Sequence, residues 1–266
     1  MNFDRFLQEA ALLEGLAWRK YRRRSARRRV EHRLMELGLD GFDAYLELLR
    51  SDPKETSGLA DLMRVTVSRF FREREQWRIL ADKVLPELIA ENIGVDVIRA
   101  WSAGCCGGEE PYTLAIVWLE SIAPFHPGSA IEILASDIDE ASLERACAAS
   151  YDMGSLREVP PDTLAHYLTR EKGHWSLAGE VKGLVRLERR NVMSDPLPAG
   201  MDLVLCRYLA FTYYRGERLH AATVRLWETL RPGGILMVGK KERLPGGASA
   251  FFDPWSGCDG FYRRKG

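Results

Sequence analysis

The segment Trp101–Tyr112, WSAGCCGGEEPY, is the most informative about the fold of this chain. It follows a short apolar run, VDVIRA, and precedes a longer apolar segment, TLAIVWLESI. The turn between them contains three glycines, Gly104, Gly107 and Gly108. Glycines at such a point let the backbone turn tightly or approach a ligand closely, because no Cβ is in the way. We therefore predict that a buried strand ends at Ser102 and that a helix begins at Glu109.

The remaining C-terminal part of the chain alternates apolar runs with helical patterns. The strand patterns are AIEILASDID, DLVLC and GGILMVG, and the helical patterns are EASLERACAAS and ERLHAATVRLWETLRPGG. Strands that alternate with helices predict an α/β fold, a doubly wound parallel sheet with helices on both faces. The section from Tyr151 to Arg190 interrupts this order with turn residues and two short alternating runs, HWSLAGEV and LVRLERR, and the inserted subdomain is expected over about residues 152–190. We interpret this interruption as a small inserted helix and antiparallel β-hairpin.

The N-terminal part has helical patterns and no period-two alternation. Asp40 is placed to cap a helix, and Asp52-Pro53 is placed to end that helix and start the next one. We expect a helical N-terminal domain over residues 1–82 and the α/β domain over residues 83–266.

Composition excludes several classes of protein. The chain has 266 residues, of which 46% are hydrophobic and 29% charged, and its 38 basic residues balance its 38 acidic ones. These values are typical of a soluble globular protein and give no reason to expect nucleic-acid binding by the whole chain. The charged N-terminus and the lack of a long uncharged stretch predict a cytoplasmic protein without membrane insertion. The five cysteines and five histidines lack the spacing of metal ligands, so we expect no metal site.

Acidic residues follow both of the first two predicted strands. Ligands of an open α/β sheet bind beyond the carboxyl ends of its strands, where Asp137 could accept both hydroxyls of a ribose. Glu109 and Glu110 at the helix start would repel a diphosphate and suit a cationic ligand, such as the sulfonium of S-adenosylmethionine. This pattern favours S-adenosylmethionine over a dinucleotide. The alternative is that the two glutamates only complement the helix dipole.

Six segments of the chain carry a family resemblance. They are RVTVSRFFRE, WSAGCCGGEEPYTLA, ILASDIDEASLERA, RRNV, DLVLCRYLAFTYY and LRPGGILMVG, in this order. Over nearly its whole length the chain resembles the chemotaxis-receptor (CheR-type) methyltransferases, which transfer methyl groups from S-adenosylmethionine to glutamate side chains of membrane chemoreceptors. The resemblance implies a class I (Rossmann-like) methyltransferase fold with an N-terminal helical domain and an inserted β-subdomain. It also implies S-adenosyl-L-methionine as cofactor and S-adenosyl-L-homocysteine as product.

The same resemblance implies the site residues. The implied catalytic residues are Arg72, Arg207 and Tyr213. Cofactor contact is implied for Thr66, Ser68, Arg72, Gly104, Glu110, Asp137, Asn191, Val192, Cys206 and Arg207. Asp137 would bind the ribose, and Asn191 and Val192 would lie near the adenine.

The chain departs from the family pattern near the expected acceptor pocket. Tyr208 stands where the family usually has asparagine, and Lys240 and Lys241 stand where it usually has a short polar pair. Two alternatives therefore stay open beside a protein-glutamate methyltransferase. One is a small-molecule carboxyl or hydroxyl methyltransferase on the same fold, and the other is a regulatory module that binds the cofactor without turnover.

A basic segment lies near the N-terminus. Nine arginines and lysines fall between Arg19 and Arg33 in WRKYRRRSARRRVEHR. So many like charges would repel one another without a partner, and they could steer an acidic protein substrate. By the resemblance this substrate would be the cytoplasmic helices of a chemoreceptor. A nucleic acid, an anionic membrane surface, or a merely solvated helix face are the alternatives.

Overall fold

The computed structural model describes residues 1–21, 23–63, 68–91, 97–255 and 257–266. Its α-helices are α1 (Phe3–Leu13), α2 (Arg23–Leu37), α3 (Gly41–Ser51), α4 (Pro53–Leu62), α5 (Arg74–Ile79), α6 (Leu85–Glu91), α7 (Glu109–Ser121), α8 (Glu140–Ala148), α9 (Met153–Leu156), α10 (Pro161–Tyr167), α11 (Gly179–Gly183), α12 (Ala210–Tyr213) and α13 (Gly216–Thr229). Its strands are β1 (Val97–Ala103), β2 (Ala130–Asp137), β3 (Ser150–Tyr151), β4 (Leu168–Glu171), β5 (His174–Leu177), β6 (Val185–Arg189), β7 (Met201–Leu205), β8 (Leu230–Met237), β9 (Phe252–Pro254) and β10 (Phe261–Arg264). A π-helical segment, Leu80–Val84, joins α5 to α6.

Contacts divide the chain into two compact units, one of residues 1–65 and 208–222 and the other of residues 66–207 and 223–266. The first unit is helical, and its core contains Phe6, Tyr45, Leu46 and Leu49. Asp40 is at the N-cap position of α3, as predicted, but its side chain makes no capping hydrogen bond. Pro53 begins α4, as predicted. The ring of Phe6 stacks on that of Tyr45 at a centroid distance of 5.7 Å, which joins α1 to α3. The buried residues of α3, Tyr45, Leu46 and Leu49, lie at helical spacing on one face.

The second unit contains a seven-stranded sheet in the order β6-β2-β1-β7-β8-β10-β9. Strands β6, β2, β1, β7 and β8 are parallel to one another, whereas β10 is antiparallel to both β8 and β9. The chain runs outward from β1 to β2 and β6, and then returns to the other side of β1 for β7 and β8. This doubly wound order places a topological switch point between β1 and β7, where such sheets bind ligands. The predicted parallel sheet is confirmed, with an antiparallel edge that the sequence did not predict.

The inserted segment contains a separate antiparallel sheet of three strands in the order β3-β5-β4. One part of the sequence interpretation is wrong here, because LVRLERR is not a strand of the hairpin. It forms β6, which pairs in parallel with β2 at the edge of the large sheet. The hairpin is formed instead by β4 and β5, and its turn contains Lys172 and Gly173, both at positive φ. Of HWSLAGEV only the first four residues are a strand, since α11 begins at Gly179.

Among the helices that the structure describes, none has the length and apolar character needed to cross a bilayer.

Candidate cofactor and active site

The glycine turn connects β1 to α7 through several left-handed residues. Gly104 has a φ of 75°, Cys106 of 51° and Gly108 of 86°. A Cβ added to Gly108 would lie 2.7 Å from Cε2 of Tyr112 and 3.0 Å from the Cβ of Ala146. Glycine is therefore required at this position both by the backbone conformation and by the close approach of α7 to α8. The predicted strand, turn and helix are present, with β1 one residue longer than expected.

Asp137 ends β2 and binds the glycine turn. Its Oδ2 accepts a hydrogen bond of 2.9 Å from the backbone N–H of Cys106, and its Oδ1 accepts one of 2.9 Å from Asp139. The carboxylate therefore connects the turn after β1 to the turn after β2. This position at the carboxyl edge of the sheet is the one predicted from the sequence, and the ribose contact itself stays a prediction.

Glu110 forms a buried ion pair with Arg207, although 97 positions separate them in the chain. The Arg207 Nη1 donates to the Glu110 Oε2 at 3.3 Å, and the Ser102 hydroxyl donates to Oε1 at 2.7 Å. Burial raises the pKa of Glu110 above its ordinary value, while the positive charge of Arg207 and the Ser102 hydrogen bond oppose that rise. The ion pair brings the start of α7 against the end of β7, across the switch point of the sheet.

The guanidinium of Arg207 also donates hydrogen bonds to residues 72–76. Its Nη2 donates to the backbone carbonyl of Arg72 at 2.7 Å, to Glu73 at 3.0 Å and to the Gln76 Oε1 at 3.3 Å. Its Cζ lies 5.2 Å from the centroid of the Trp77 ring, and the residue is only 7% exposed. These contacts fix Arg207 between Glu110, which follows the glycine turn, and the segment that contains Arg72. Its predicted catalytic role stays a prediction, and the observed contacts are those of a residue that positions its neighbours.

Arg72 lies between two residues in the left-handed region. Phe71 has a φ of 51° and Glu73 of 64°, which is uncommon for residues with large side chains. Each such conformation costs about 1–3 kcal/mol and is found where the surrounding structure enforces it. Here Glu73 is fixed twice, by Arg207 and by the backbone N–H of Lys240 at 2.9 Å. The sequence prediction omitted Glu73, because its pairing with Arg207 joins positions far apart in the chain.

Gln76 is a second residue that the sequence prediction omitted. It is 1% exposed, and its Nε2 donates to the carbonyls of Val238 at 2.9 Å and Asp259 at 3.2 Å. Gly260, at a φ of 87°, leaves room for this amide, because an added Cβ would overlap it. Gln76 therefore ties the start of α5 to the loops that follow β8 and precede β10. No local sequence pattern marks a glutamine for this role.

Glu109 is the second buried carboxylate of the loop. It is 7% exposed, and its Oε2 has no hydrogen-bond partner among the described residues. Burial raises the pKa of Glu109. Burial, followed by the charges of Asp137 and Glu109, also raises the pKa of the Cys106 thiol well above its ordinary value. Burial thus favours the protonated forms of both side chains, and the turn places several acidic groups close together.

The predicted adenine residues lie in the turn after β6. The Asn191 Oδ1 accepts a hydrogen bond of 2.8 Å from Met193, and its backbone N–H donates to Asp195 at 2.9 Å. Val192 is buried, and its carbonyl accepts a hydrogen bond of 2.7 Å from Arg225. These contacts define the shape of the turn, and the adenine contact stays a prediction.

The other predicted residues are distributed between the two units. Cys206 is buried after β7, and its N–H donates to the Met237 carbonyl at 2.9 Å. Ser68 is half-buried, and Thr66 lies outside the described residues. Tyr213 belongs to the first unit, where its ring stacks on Tyr21 at 4.9 Å. In the second unit Arg207 thus contacts both Glu110 and the backbone carbonyl of Arg72. Asp137 is bonded to the glycine turn through the N–H of Cys106.

No group of three or more histidine, cysteine, aspartate or glutamate side chains is placed to hold a metal ion in the described part of the chain.

Comparisons with known proteins identify the family. Residues 66–257 match the family described as CheR methyltransferase, SAM binding domain, and residues 1–63 match CheR methyltransferase, all-alpha domain. Chemotaxis protein methyltransferases of Listeria innocua and Listeria monocytogenes are 29% and 30% identical, over 86% of this chain and 85% of each relative. An uncharacterized 104.1 kDa protein of Rhodobacter capsulatus is 31% identical over 84% of this chain, and the match spans 23% of that protein's length.

Among solved structures, SAM-bound CalS10, an amino pentose methyltransferase from Micromonospora echinaspora, is 18% identical. That match covers 65% of this chain and 57% of CalS10, with a TM-score of 0.34. The two family matches together include both the helical N-terminal part and the α/β part of the chain. The chain therefore belongs to the CheR methyltransferase family, and it is an S-adenosylmethionine-dependent methyltransferase.

Proposed function

We propose that this methyltransferase forms methyl esters on glutamate carboxylates of an acidic helical protein, namely a chemoreceptor. The observation that carries the proposal is the network around Arg207, which joins Glu110 of the cofactor loop to the segment that contains Arg72. Arg207 thereby connects Glu110, a predicted cofactor ligand, to Arg72, the predicted acceptor-binding arginine. The bond to Arg72 is made by its backbone carbonyl. The Listeria relatives are chemotaxis protein methyltransferases, which supports a chemoreceptor as the acceptor.

The residues at the glycine turn fit S-adenosylmethionine. Glu109, Glu110 and Asp137 are buried carboxylates at this turn, and Arg207 is the cation paired with one of them. Carboxyl groups in this position suit a ligand that carries a sulfonium and an ammonium charge, because a nearby cation favours their ionised form. We propose that Asp137 holds the ribose and that Glu110 holds the positively charged amino-acid end. When bound, the cofactor supplies a methyl group that its sulfonium activates for transfer.

The acceptor needs orientation more than activation. A glutamate side chain is ionised at neutral pH, because its ordinary pKa is about 4.3. No strong general base is therefore required, and the enzyme gains rate by holding a carboxylate oxygen in a reactive position. The planar guanidinium of Arg72 is suited to this, since it can donate two parallel hydrogen bonds to a carboxylate. The predicted alignment of an acceptor oxygen by Tyr213 belongs to the same proposal.

Two basic features support an acidic acceptor. In the second unit, Lys240 and Lys241 are exposed immediately beyond β8, and the Lys240 N–H is bound by Glu73 of the Arg207 network. In the first unit, α2 carries much of the basic segment, with Arg24 and Arg28 exposed. Exposed charges of one sign favour the approach of an oppositely charged partner.

The acceptor class can be tested directly with tritium-labelled S-adenosylmethionine. Base-labile label in an acidic chemoreceptor fragment would support the proposal. Label in small carboxylic acids alone would favour the small-molecule enzyme, and binding of S-adenosylhomocysteine without any turnover would favour a regulatory module.

A pair of arginine variants makes this assay specific. Arg72→Ala should lower methylation by about 100-fold, because misorientation of the acceptor is costly. The matched control is Arg78→Ala in α5, where an exposed arginine donates from Nη2 to the Glu75 carboxylate at 2.9 Å. Equal losses in both variants would remove the role assigned to Arg72.

A further inference from the structure

Tyr151 connects the small inserted sheet to the cofactor loop. It is 5% exposed and belongs to β3, where it pairs with Trp175 of β5. Its hydroxyl donates a hydrogen bond of 2.8 Å to the backbone carbonyl of Gly107, in the middle of the glycine turn. Burial raises the pKa of Tyr151 well above its ordinary value, so the phenol stays protonated and able to donate.

The ring of Tyr151 contacts the segment that immediately precedes Arg72. It packs edge-on against the ring of Phe70, with centroids 4.8 Å apart and an angle of 85° between the planes. Phe70 lies two positions before Arg72, and its backbone N–H donates to the Ser155 carbonyl at 3.0 Å. A single side chain of the inserted segment therefore contacts both the cofactor loop and the segment that contains Arg72.

Further bonds hold the Arg72 segment to the inserted segment. Arg69 forms an ion pair of 3.2 Å with the Glu158 carboxylate, and the Arg74 Nε donates to the Glu158 carbonyl. These bonds lie on either side of Arg72 in the sequence, so the inserted segment supports it from both directions. The glycine turn also contains a residue in an unfavourable backbone conformation, because Cys106 next to Gly107 has a φ of 51°. Such a conformation persists only where the surrounding contacts enforce it.

We propose, on the basis of the cofactor site proposed above, that Tyr151 is a positioning residue for cofactor binding and for acceptor orientation. Its hydroxyl fixes the Gly107 carbonyl and thereby the shape of the cofactor loop. Its ring fixes Phe70 and thereby the position of Arg72. The two functions are separable, because the hydroxyl contacts one half of the site and the ring contacts the other.

The test uses the full chain and calorimetric titration with S-adenosylhomocysteine. Tyr151→Phe keeps the ring and removes the hydrogen bond, and we expect it to weaken binding by about 5- to 10-fold, the usual effect of one such bond. The KM for S-adenosylmethionine should rise by a similar factor, while kcat stays within about twofold because Phe70 keeps its contact. Tyr151→Leu removes the ring as well and should also lower kcat.

The matched control is Tyr112→Phe. Tyr112 is 2% exposed, and its hydroxyl donates a hydrogen bond of 2.9 Å to the carbonyl of Ala146 in α8. This variant loses the same chemical contact at a different place, so its thermal stability should fall by a similar amount while affinity changes less than twofold. Equal losses of affinity in the two phenylalanine variants, or unchanged affinity in Tyr151→Phe, would overturn the role of Tyr151. Failure of the wild-type chain to bind S-adenosylhomocysteine would instead overturn the proposed cofactor site itself.

Discussion

Replacement of Arg207 by methionine is the sharpest test of the network at the switch point. Methionine keeps most of the side-chain length but removes the charge and all donors. Four acceptors lose a partner: Glu110, Glu73, the Gln76 side chain and the Arg72 carbonyl. Removing one member of a buried ion pair costs about 3–5 kcal/mol, because the other charge stays buried without compensation. We expect the free energy of unfolding to fall by this amount at neutral pH.

The same variant should show a characteristic dependence on pH. Burial raises the pKa of Glu110 in the folded protein, and Arg207 opposes this rise. Without Arg207 the folded-state pKa rises further, whereas the unfolded chain keeps the ordinary value of about 4.3. Between the unfolded-state and the folded-state pKa values, Glu110 is ionised in the unfolded chain and protonated in the folded one. The free energy of unfolding therefore falls as pH rises through this range. The loss of stability in Arg207→Met should therefore be larger at pH 8 than at pH 5.

Urea denaturation of a double-mutant cycle measures the coupling free energy between Arg207 and Glu110 and its dependence on pH. The cycle consists of the wild type, Arg207→Met, Glu110→Gln and the double variant, each at both pH values. Glu110→Gln removes the buried charge, so the double variant should be more stable than the sum of the two losses predicts, by about 1–3 kcal/mol. Additive losses, or equal losses at pH 5 and pH 8, would refute the electrostatic coupling of the two residues.

Three further predictions concern the cofactor loop and the acceptor. Asp137→Ala should weaken S-adenosylhomocysteine binding at least about 10-fold by calorimetry, through loss of two hydrogen bonds to the ribose; unchanged affinity would remove that assignment. Gly108→Ala should cost about 2 kcal/mol in urea denaturation, because the added Cβ would lie 2.7 Å from a tyrosine ring at a left-handed position, while Gly128→Ala, in open space, should change little. Joint replacement of Lys240 and Lys241 by glutamate should slow methylation of an acidic protein about 10-fold at low salt and leave cofactor affinity unchanged; a loss that is insensitive to salt would contradict steering by these lysines.

The sequence predicted the central strands well and the edges of the large sheet poorly. Strands β1 and β2 are apolar runs whose C-terminal halves are buried on both faces. Their residues alone therefore predict buried strands. At one edge, β9 and β10 are short and flank Gly257 and Gly260, and they are strands because they pair with each other and with β8. At the other edge, β6 has the alternating apolar and polar residues of a hairpin strand. Only its parallel pairing with β2 distinguishes it from such a strand. Pairing between distant segments is not encoded in a local pattern.

The site shows the same division. The places of Glu110 and Asp137 follow from a general rule about the carboxyl ends of strands, so they were predictable. The contacts of Arg207 with Glu73 and Gln76 join positions more than 130 residues apart, and no local signal indicates them. The left-handed conformation of Phe71 and Glu73 was also unpredictable, because residues with large side chains rarely adopt it and the surrounding structure imposes it here.

We propose that this chain esterifies glutamate side chains of an acidic protein. Mass spectrometry of a chemoreceptor fragment incubated with the full chain and S-adenosylmethionine tests it most directly. We predict a mass increase of one methylene group on individual glutamates, which mild base removes and which Arg72→Ala nearly abolishes. Modification confined to residues other than glutamate, or a base-stable product, would contradict the claim.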